Sequence, residues 1–433
     1  MTSEFVTPWR PCPAAPRPAL RGERRCATAV VGGGLAGLSV AVALAELDPG
    51  HETVLLEAAQ IGAGASGRGT GLVGPRVGPP LRRVRRRHGD EVARAAYLAS
   101  VRAVQRVAER IDRYDIDCAA TGGDQLLVGT GATATELAAD TRCALDLDLP
   151  VREVAAQTLP PGYDYGVRHG PALTVDPLAL TTGLAAVAER GGTVVYEHSP
   201  VRAVRSGPPI RLETPEGAVT ADRVVFALNA FAGAHGLLGV RVQAAATAPL
   251  PESALAGLPW LRSGPILEFG TLAPYFRLTP DRRIVLGGGA ARRGVRGDRP
   301  LDRRALEAAL RRLGSGAPIA LGHAWSGPIA MTRDDWPVVG PVAADDAMLV
   351  AGGWCGHGLA LTAAAGAWLA ERIVHGEPVA GTAARLPWER GAGPALPTGT
   401  VPERVLDRYL ARVSARAYRR APQSGEGRRG VRA

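Results

Sequence analysis

The sequence predicts an α/β fold in which a parallel-sheet part is interleaved along the chain with an antiparallel-sheet α+β part. Three observations point to it. Gly32-Gly33-Gly34-Leu35-Ala36-Gly37 stands between an apolar run and an apolar helical stretch. The segment between Gly264 and Gly288 turns β-rich. A second glycine cluster, Gly352-Gly353-Trp354-Cys355-Gly356-His357-Gly358, leads from a short apolar strand into a helix, so the chain ends where it began.

Each element has its own reason. Residues 1–25 contain Pro8, Pro11, Pro13, Pro16 and Pro18, which cannot donate to a ladder, and read as a flexible extension. Ala27 to Val31 is a buried strand, Leu35 to Leu47 a helix and Thr53 to Glu57 a second strand of the same parallel sheet, which makes one βαβ unit. The five arginines between Arg82 and Arg87 read as a solvated loop. Beyond them Ala96, Val101, Val104, Val107 and Ile111 recur at helical spacing, with Asp90 as the cap. Asp176-Pro177 places a cap before a proline at the first helical position, and Gly191-Gly192 stops that helix. Thr193 to Tyr196, Ile210 to Thr214 and Arg223 to Ala227 are strands, and Gly287, Gly288 and Gly289 end another. Met348 to Ala351 is a short strand before the helix Leu359 to Ile373.

Composition narrows the function. With 433 residues, and about 150 per domain as a guide, two or three domains or one discontinuous one are expected. All 51 basic residues are Arg. Without a Lys there is no Walker A loop, protein-kinase site or Schiff base. The formal charge is +10, but residues 1–25 carry +3 and residues 411–433 carry +6, so the body is nearly neutral and nucleic acid is not expected as a partner. Cys12, Cys26, Cys118, Cys143 and Cys355 lie far apart, with neither disulfide nor metal spacing, which fits a reduced, cytoplasmic setting. Arg24-Arg25 and the run from Cys26 to Ala45 imitate a twin-arginine signal or a membrane helix, but four glycines interrupt the run. No membrane segment is left.

The motifs carry the chemistry. In a GxGxxG turn the first glycine permits the tight bend, the second lets a pyrophosphate approach the backbone, and the third brings helix against strand: a Rossmann-type dinucleotide site. Glu57, twenty residues after Gly37, ends the second strand, where a carboxylate accepts both hydroxyls of an adenosine ribose. An acid there favours FAD or NAD over NADP.

The glycine-dense loop from Ile61 to Gly71, with its Gly64-Ala65-Ser66-Gly67-Arg68, resembles the D-amino-acid oxidase, glycine oxidase and sarcosine oxidase superfamily of FAD enzymes. Val175-Asp176-Pro177, the stretch from Val224 to Ala230 and the region from Trp325 to Gly358 resemble it in the same order. The resemblance implies that Gly32, Gly34, Gly37 and Glu57 hold the ADP half, that Ser66, Gly67 and Arg68 approach pyrophosphate and flavin, and that the backbone of Val201 meets the adenine. It places Gly353, Gly356, His357 and Gly358 at the pyrimidine end of the flavin. The expected division is an FAD-binding part of residues 26–80, 150–235 and 325–380, a substrate part of 81–149 and 236–324, and a C-terminal extension with a basic tail at 381–433.

The sequence also departs from that family. The Arg of a GxRP turn that clamps a substrate carboxylate is missing from Gly327-Pro328-Ile329-Ala330, and Ala360 replaces the Lys that serves sarcosine oxidases. An amine, a polyamine conjugate or a larger amino compound gains weight over a simple α-amino acid, and Arg277 or Arg333 is the candidate for a new anchor. Gly327 and Arg68 stand where relatives attach flavin through Cys or His, so FAD is expected to be non-covalent. Val285 falls near the oxygen-activating Lys, so oxygen and another electron acceptor both stay open. Tyr275, Arg277 and His357 are the candidate catalytic residues, and Trp325 and Trp354 the candidate walls of the substrate pocket. The reaction expected is hydride transfer from a C–H beside nitrogen to flavin, giving an imine that hydrolyses. A tRNA-modifying flavoprotein and a flavin-binding protein without turnover are the alternatives.

Overall fold

A computed structural model describes residues 7–12, 15–232, 237–295, 302–313, 319–342 and 345–376. The 381–433 extension and its basic tail lie outside the described residues.

Strand β1, Gly22–Val31, is the centre of the first sheet. It pairs in parallel with β2, Thr53–Leu56, on one side and with Gly217–Phe226 on the other. Burial on both faces is why Ala29-Val30-Val31 reads as a continuous apolar run. The sheet continues through Val194–Tyr196 at one edge, and through Asp345–Gly352 and Val338–Val342 at the other. Helix α1, Leu35–Leu47, closes the βαβ unit. The helix Gly358–His375 lies against it so closely that a Cβ on Gly366 would come within 2.5 Å of the Ser39 backbone.

The N-terminal segment differs from the expected flexible extension. β1 starts at Gly22, where Gly22 to Arg25 pair with Gly217 to Thr220. Before it, Leu20 is buried, and Arg17 forms a two-pronged ion pair with Glu189 at 2.7 and 2.9 Å. The N–H groups of Arg10 and Cys12 donate to Asp176 Oδ2 at 3.0 Å and Thr182 Oγ1 at 2.8 Å. Prolines deny this segment a ladder, but its side chains and remaining N–H groups dock it on the body.

Helix α2, Leu81–Tyr114, also differs. The arginine run expected as a loop is its first arm, which kinks at Gly89 with φ 84°. The Asp140 carboxylate accepts the N–H groups of Leu81 at 3.2 Å and Arg82 at 2.8 Å, so another helix supplies the cap. Asp90 instead pairs with Arg85 at 2.9 and 3.0 Å. The apolar stripe from Ala96 to Ile111 lies on the second arm and is buried, as its spacing predicts.

The second sheet has nine strands among the described residues and is antiparallel except where Ile266–Glu268 runs parallel to Thr121–Gly129. It includes Leu72–Val73, Val151–Glu153, Tyr165–Thr174 and Leu321–Met331, so segments grouped by motif order with the nucleotide part pair here instead. Gly287 to Gly289 do not end a strand. Ile284–Arg293 runs through them, with Gly288 and Gly289 at φ 88° and 78° opposite a register shift in Leu238–Thr247. No helix among the described residues is long and apolar enough to cross a membrane.

Candidate active site

Three glycines make the entry to α1. Gly32, at φ 115°, turns the chain where an added Cβ would meet Ala227 O at 2.7 Å. A Cβ on Gly37 would lie 2.1 Å from Gly32 O, and one on Gly34 would lie 2.8 Å from Ser66 Oγ. The cradle therefore exists only with glycine at these places. Ser66 Oγ accepts the N–H of Leu35 at 2.9 Å, which ties the second glycine loop to the first turn of α1. No side chain caps Gly34, and the remaining first-turn N–H groups suit a pyrophosphate.

Glu57 completes this half. Its Oε2 accepts the N–H of Gly33 at 2.7 Å and its Oε1 that of Ala59 at 2.8 Å. A carboxylate has about four acceptor positions, so two hydroxyls can still be held. Burial raises the Glu57 pKa, and the backbone N–H groups oppose the rise. Ser199 N–H donates to Glu57 O at 2.8 Å, and Val201 follows two residues later, partly buried at the same edge of the sheet. Glycine turn, uncapped helix and ribose acid fit the ADP half of FAD.

A cavity of about 630 Å³ opens beyond the second glycine loop and runs along the second sheet toward helix α2 and the turn before Gly358. The loop is pinned by Gly67, whose N–H donates to Gly62 O at 3.0 Å and whose absent Cβ would meet that same oxygen at 2.6 Å. Arg68 lines the cavity, and its carbonyl accepts the indole N–H of Trp325 at 2.9 Å. Trp325 is buried and forms part of the wall. Tyr275, also in the wall, lies over Gly287, where a Cβ would strike its hydroxyl at 2.1 Å. Burial pushes its phenol up, against a side-chain hydrogen bond with Thr70.

The far wall is the turn before the helix Gly358–His375. Gly353, at φ 72°, donates its N–H to Asn229 Oδ1 at 3.1 Å, which anchors the turn. Gly356 and His357 line the cavity, and His357 occupies the N-cap position with no side-chain cap bond. Burial first, and then the charge of Arg76, bring the His357 pKa down to about 3. A neutral imidazole beside an uncapped helix N-terminus leaves the helix N–H groups and dipole to stabilise negative charge.

Three expected residues lie elsewhere. Arg277 is 2% exposed and absent from the cavity wall; it donates to the carbonyls of Thr70 and, at 2.8 Å, Val175, with its guanidinium 5.1 Å from the Trp9 ring centre. It shares a strand face with Tyr275, but the backbone of the second glycine loop covers its part of that face. Arg333 is exposed. Trp354 is buried in the core beside Gly358 and does not reach the cavity. Sequence reasoning missed Arg76, Tyr97, Gln125 and His169, which also line the cavity. Tyr97 Oη lies 3.0 Å from His169 Nδ1, and burial brings His169 down to about 4. The only sequence signal was Arg76 itself, a cation eight residues past Arg68 in a glycine-rich loop.

Comparison with known proteins agrees with this geometry. The pattern of the DAO family, FAD dependent oxidoreductases, matches residues 27–372. Gamma-glutamylputrescine oxidoreductase of Escherichia coli (strain K12) is 29% identical over 377 residues, which cover 83% of this chain and 86% of the relative. Glycine oxidase from Geobacillus kaustophilus has the same fold, with a TM-score of 0.70 at 20% identity over 86% of this chain and 99% of that one. L-proline dehydrogenase from P.horikoshii gives a TM-score of 0.67 at 18% identity over 85% and 96%. A match that runs from β1 through the glycine loop and both sheets into the helix Gly358–His375 means that the chain belongs to the DAO family of FAD-dependent oxidoreductases.

Proposed function

We propose that the protein oxidises the C–N bond of an amine or amino-acid-like small molecule, with FAD held non-covalently. The observation that carries this reading is the cavity that begins at Ala65 and Arg68 of the second glycine loop, the loop whose Ser66 is tied to the first turn of α1, and reaches Tyr275, Trp325 and His357. When bound, FAD supplies the hydride acceptor for a C–H beside nitrogen. Trp325 and the ring of Tyr275 give the substrate apolar walls, which disfavour a protonated amine by desolvation and so present the neutral form. The uncapped N-terminus of the helix Gly358–His375 stabilises negative charge at that end of the cavity. The imine product is hydrolysed by water. The relative at 29% identity is named as an oxidoreductase of gamma-glutamylputrescine, itself an amine.

Non-covalent attachment is supported at the point where Gly327 and Arg68 meet: a Cβ on Gly327 would lie 3.2 Å from Arg68 Cβ, and neither residue has a group that attaches flavin. Acid precipitation is therefore expected to release all the flavin into the supernatant. Anaerobic addition of amines, amino acids and hydroxy acids tests the reaction class. Bleaching of the flavin by members of the first two groups is expected; bleaching by hydroxy acids alone would replace C–N by C–O chemistry.

A further inference from the structure

We propose that Arg76, with His169 and Gln125 beside it, forms a carboxylate-recognition corner of the cavity, so that the amine oxidised here carries an acidic group. The amine half of this statement rests on the function proposed above; the carboxylate half rests on the corner itself.

The Arg76 guanidinium lines the cavity and makes no hydrogen bond or ion pair within 4.0 Å among the described residues. Its nearest acids act on it through charge alone: Asp140, whose oxygens hold the N–H groups of Leu81 and Arg82, and Asp335. Burial works against its charge. Arg76 is partly buried at the cavity wall, and its planar fork matches a carboxylate with two parallel bonds.

A second, independent observation lies next to it. His169 Nε2 is a buried nitrogen with no hydrogen-bond partner among the described residues. Its other nitrogen meets the Tyr97 phenol, which burial keeps protonated and therefore able to donate to Nδ1. With the phenol donating to Nδ1, the imidazole proton sits on Nε2, a donor without an acceptor among the described residues. Arg76 is close enough for its charge to lower His169 further, which keeps the ring neutral. Gln125 is 4% exposed, its amide lies over Gly74, and its side chain makes no hydrogen bond among the described residues. Three unanswered polar groups thus border one space, and a carboxylate answers the cation and both neutral donors. Glycine at position 74 is required here, since a Cβ would come within 2.0 Å of Gln125 Oε1.

The test uses the FAD-loaded protein with propionate and the matched neutral propionamide as probes, and binding is read by calorimetry. Propionate is expected to bind wild type more tightly than propionamide. Arg76→Met and the milder Arg76→Gln should weaken propionate by tenfold or more and leave propionamide unchanged, while Arg76→Lys should restore part of the affinity. FAD content and the ligand-free flavin spectrum should match wild type in all three. No propionate binding to wild type, equal binding of the two probes, or unchanged affinity in the Met and Gln variants overturns the proposal. Loss of FAD or a shifted ligand-free spectrum with propionate affinity intact places Arg76 on the cofactor, and overturns it too. Arg76-dependent propionate binding in a protein whose flavin no amine reduces would sink the amine-oxidation reading while leaving the carboxylate corner standing.

Discussion

The guanidinium of Arg277 lies 5.1 Å from the ring centre of Trp9, and the same indole packs edge-on against Trp325 at 6.0 Å. The N-terminal segment is thus fastened behind the cavity wall, with Trp9 Nε1–H donating to Gly69 O at 2.9 Å. Trp9→Ala removes the cation–π contact, the edge contact and that bond, at a cost of about 2–4 kcal/mol. A lower Tm and faster loss of FAD are expected; an unchanged melting curve would detach the segment from the site.

Arg277→Met leaves the carbonyls of Thr70 and Val175 without their donor, each at roughly 1–3 kcal/mol. The damage should fall on stability and flavin retention, and equally on acidic and neutral substrates. A selective loss of acidic substrates would return Arg277 to the role of a clamp.

In the FAD complex proposed above, Glu57 would hold the ribose hydroxyls in its ionised form, and burial raises its pKa. Retention of FAD should therefore be full above that raised pKa and fall as pH drops through it, starting above the range of an exposed glutamate. Glu57→Gln should weaken FAD by about 1.5–3 kcal/mol, the worth of a charged hydrogen bond, and flatten the pH dependence. Dialysis at stepped pH reads both effects, and an equal acid response in the variant would remove Glu57 from the ribose.

A Cβ on Gly37 would lie 2.1 Å from Gly32 O, whereas one on Gly50 meets only Asp48 Oδ1 at 3.7 Å. Gly37→Ala is expected to give protein that does not retain flavin, and Gly50→Ala protein as yellow as wild type. A yellow Gly37→Ala protein would mean that α1 can move away from β1 without losing the cradle.

His357, brought down to about 3, is neutral throughout the physiological range. Its folded pKa lies below the ordinary 6.5, so the stability linked to it is complete above about pH 6.5 and is lost as pH falls toward 3. His357→Asn should make the acid-unfolding curve shallower by about one proton and leave the pH profile of flavin reduction at neutral pH unmoved. A displaced neutral-pH profile would show that the imidazole titrates in the reaction.

Much of the nucleotide half was legible because its signals are local. The glycine spacing, the continuous and helical apolar runs and the Asp176-Pro177 cap each act within a few residues, and Asp176 Oδ1 does accept the N–H groups of Leu178 and Ala179 at 2.9 and 3.0 Å. Tyr275 and Arg277 do share a strand face, as their spacing requires. What lies over that face is decided by Thr70 and Val175, over 100 residues away in sequence, and no periodicity records it. Arg76 and His169 were hidden for the same reason: an unanswered donor is defined by what does not surround it, which only the assembled fold shows.

The most direct test of C–N oxidation is a single anaerobic turnover with an amine that bleaches the flavin, followed by product analysis. One equivalent of carbonyl compound and one of released ammonia or amine per flavin reduced is the predicted result. Reduced flavin with neither product would contradict the account.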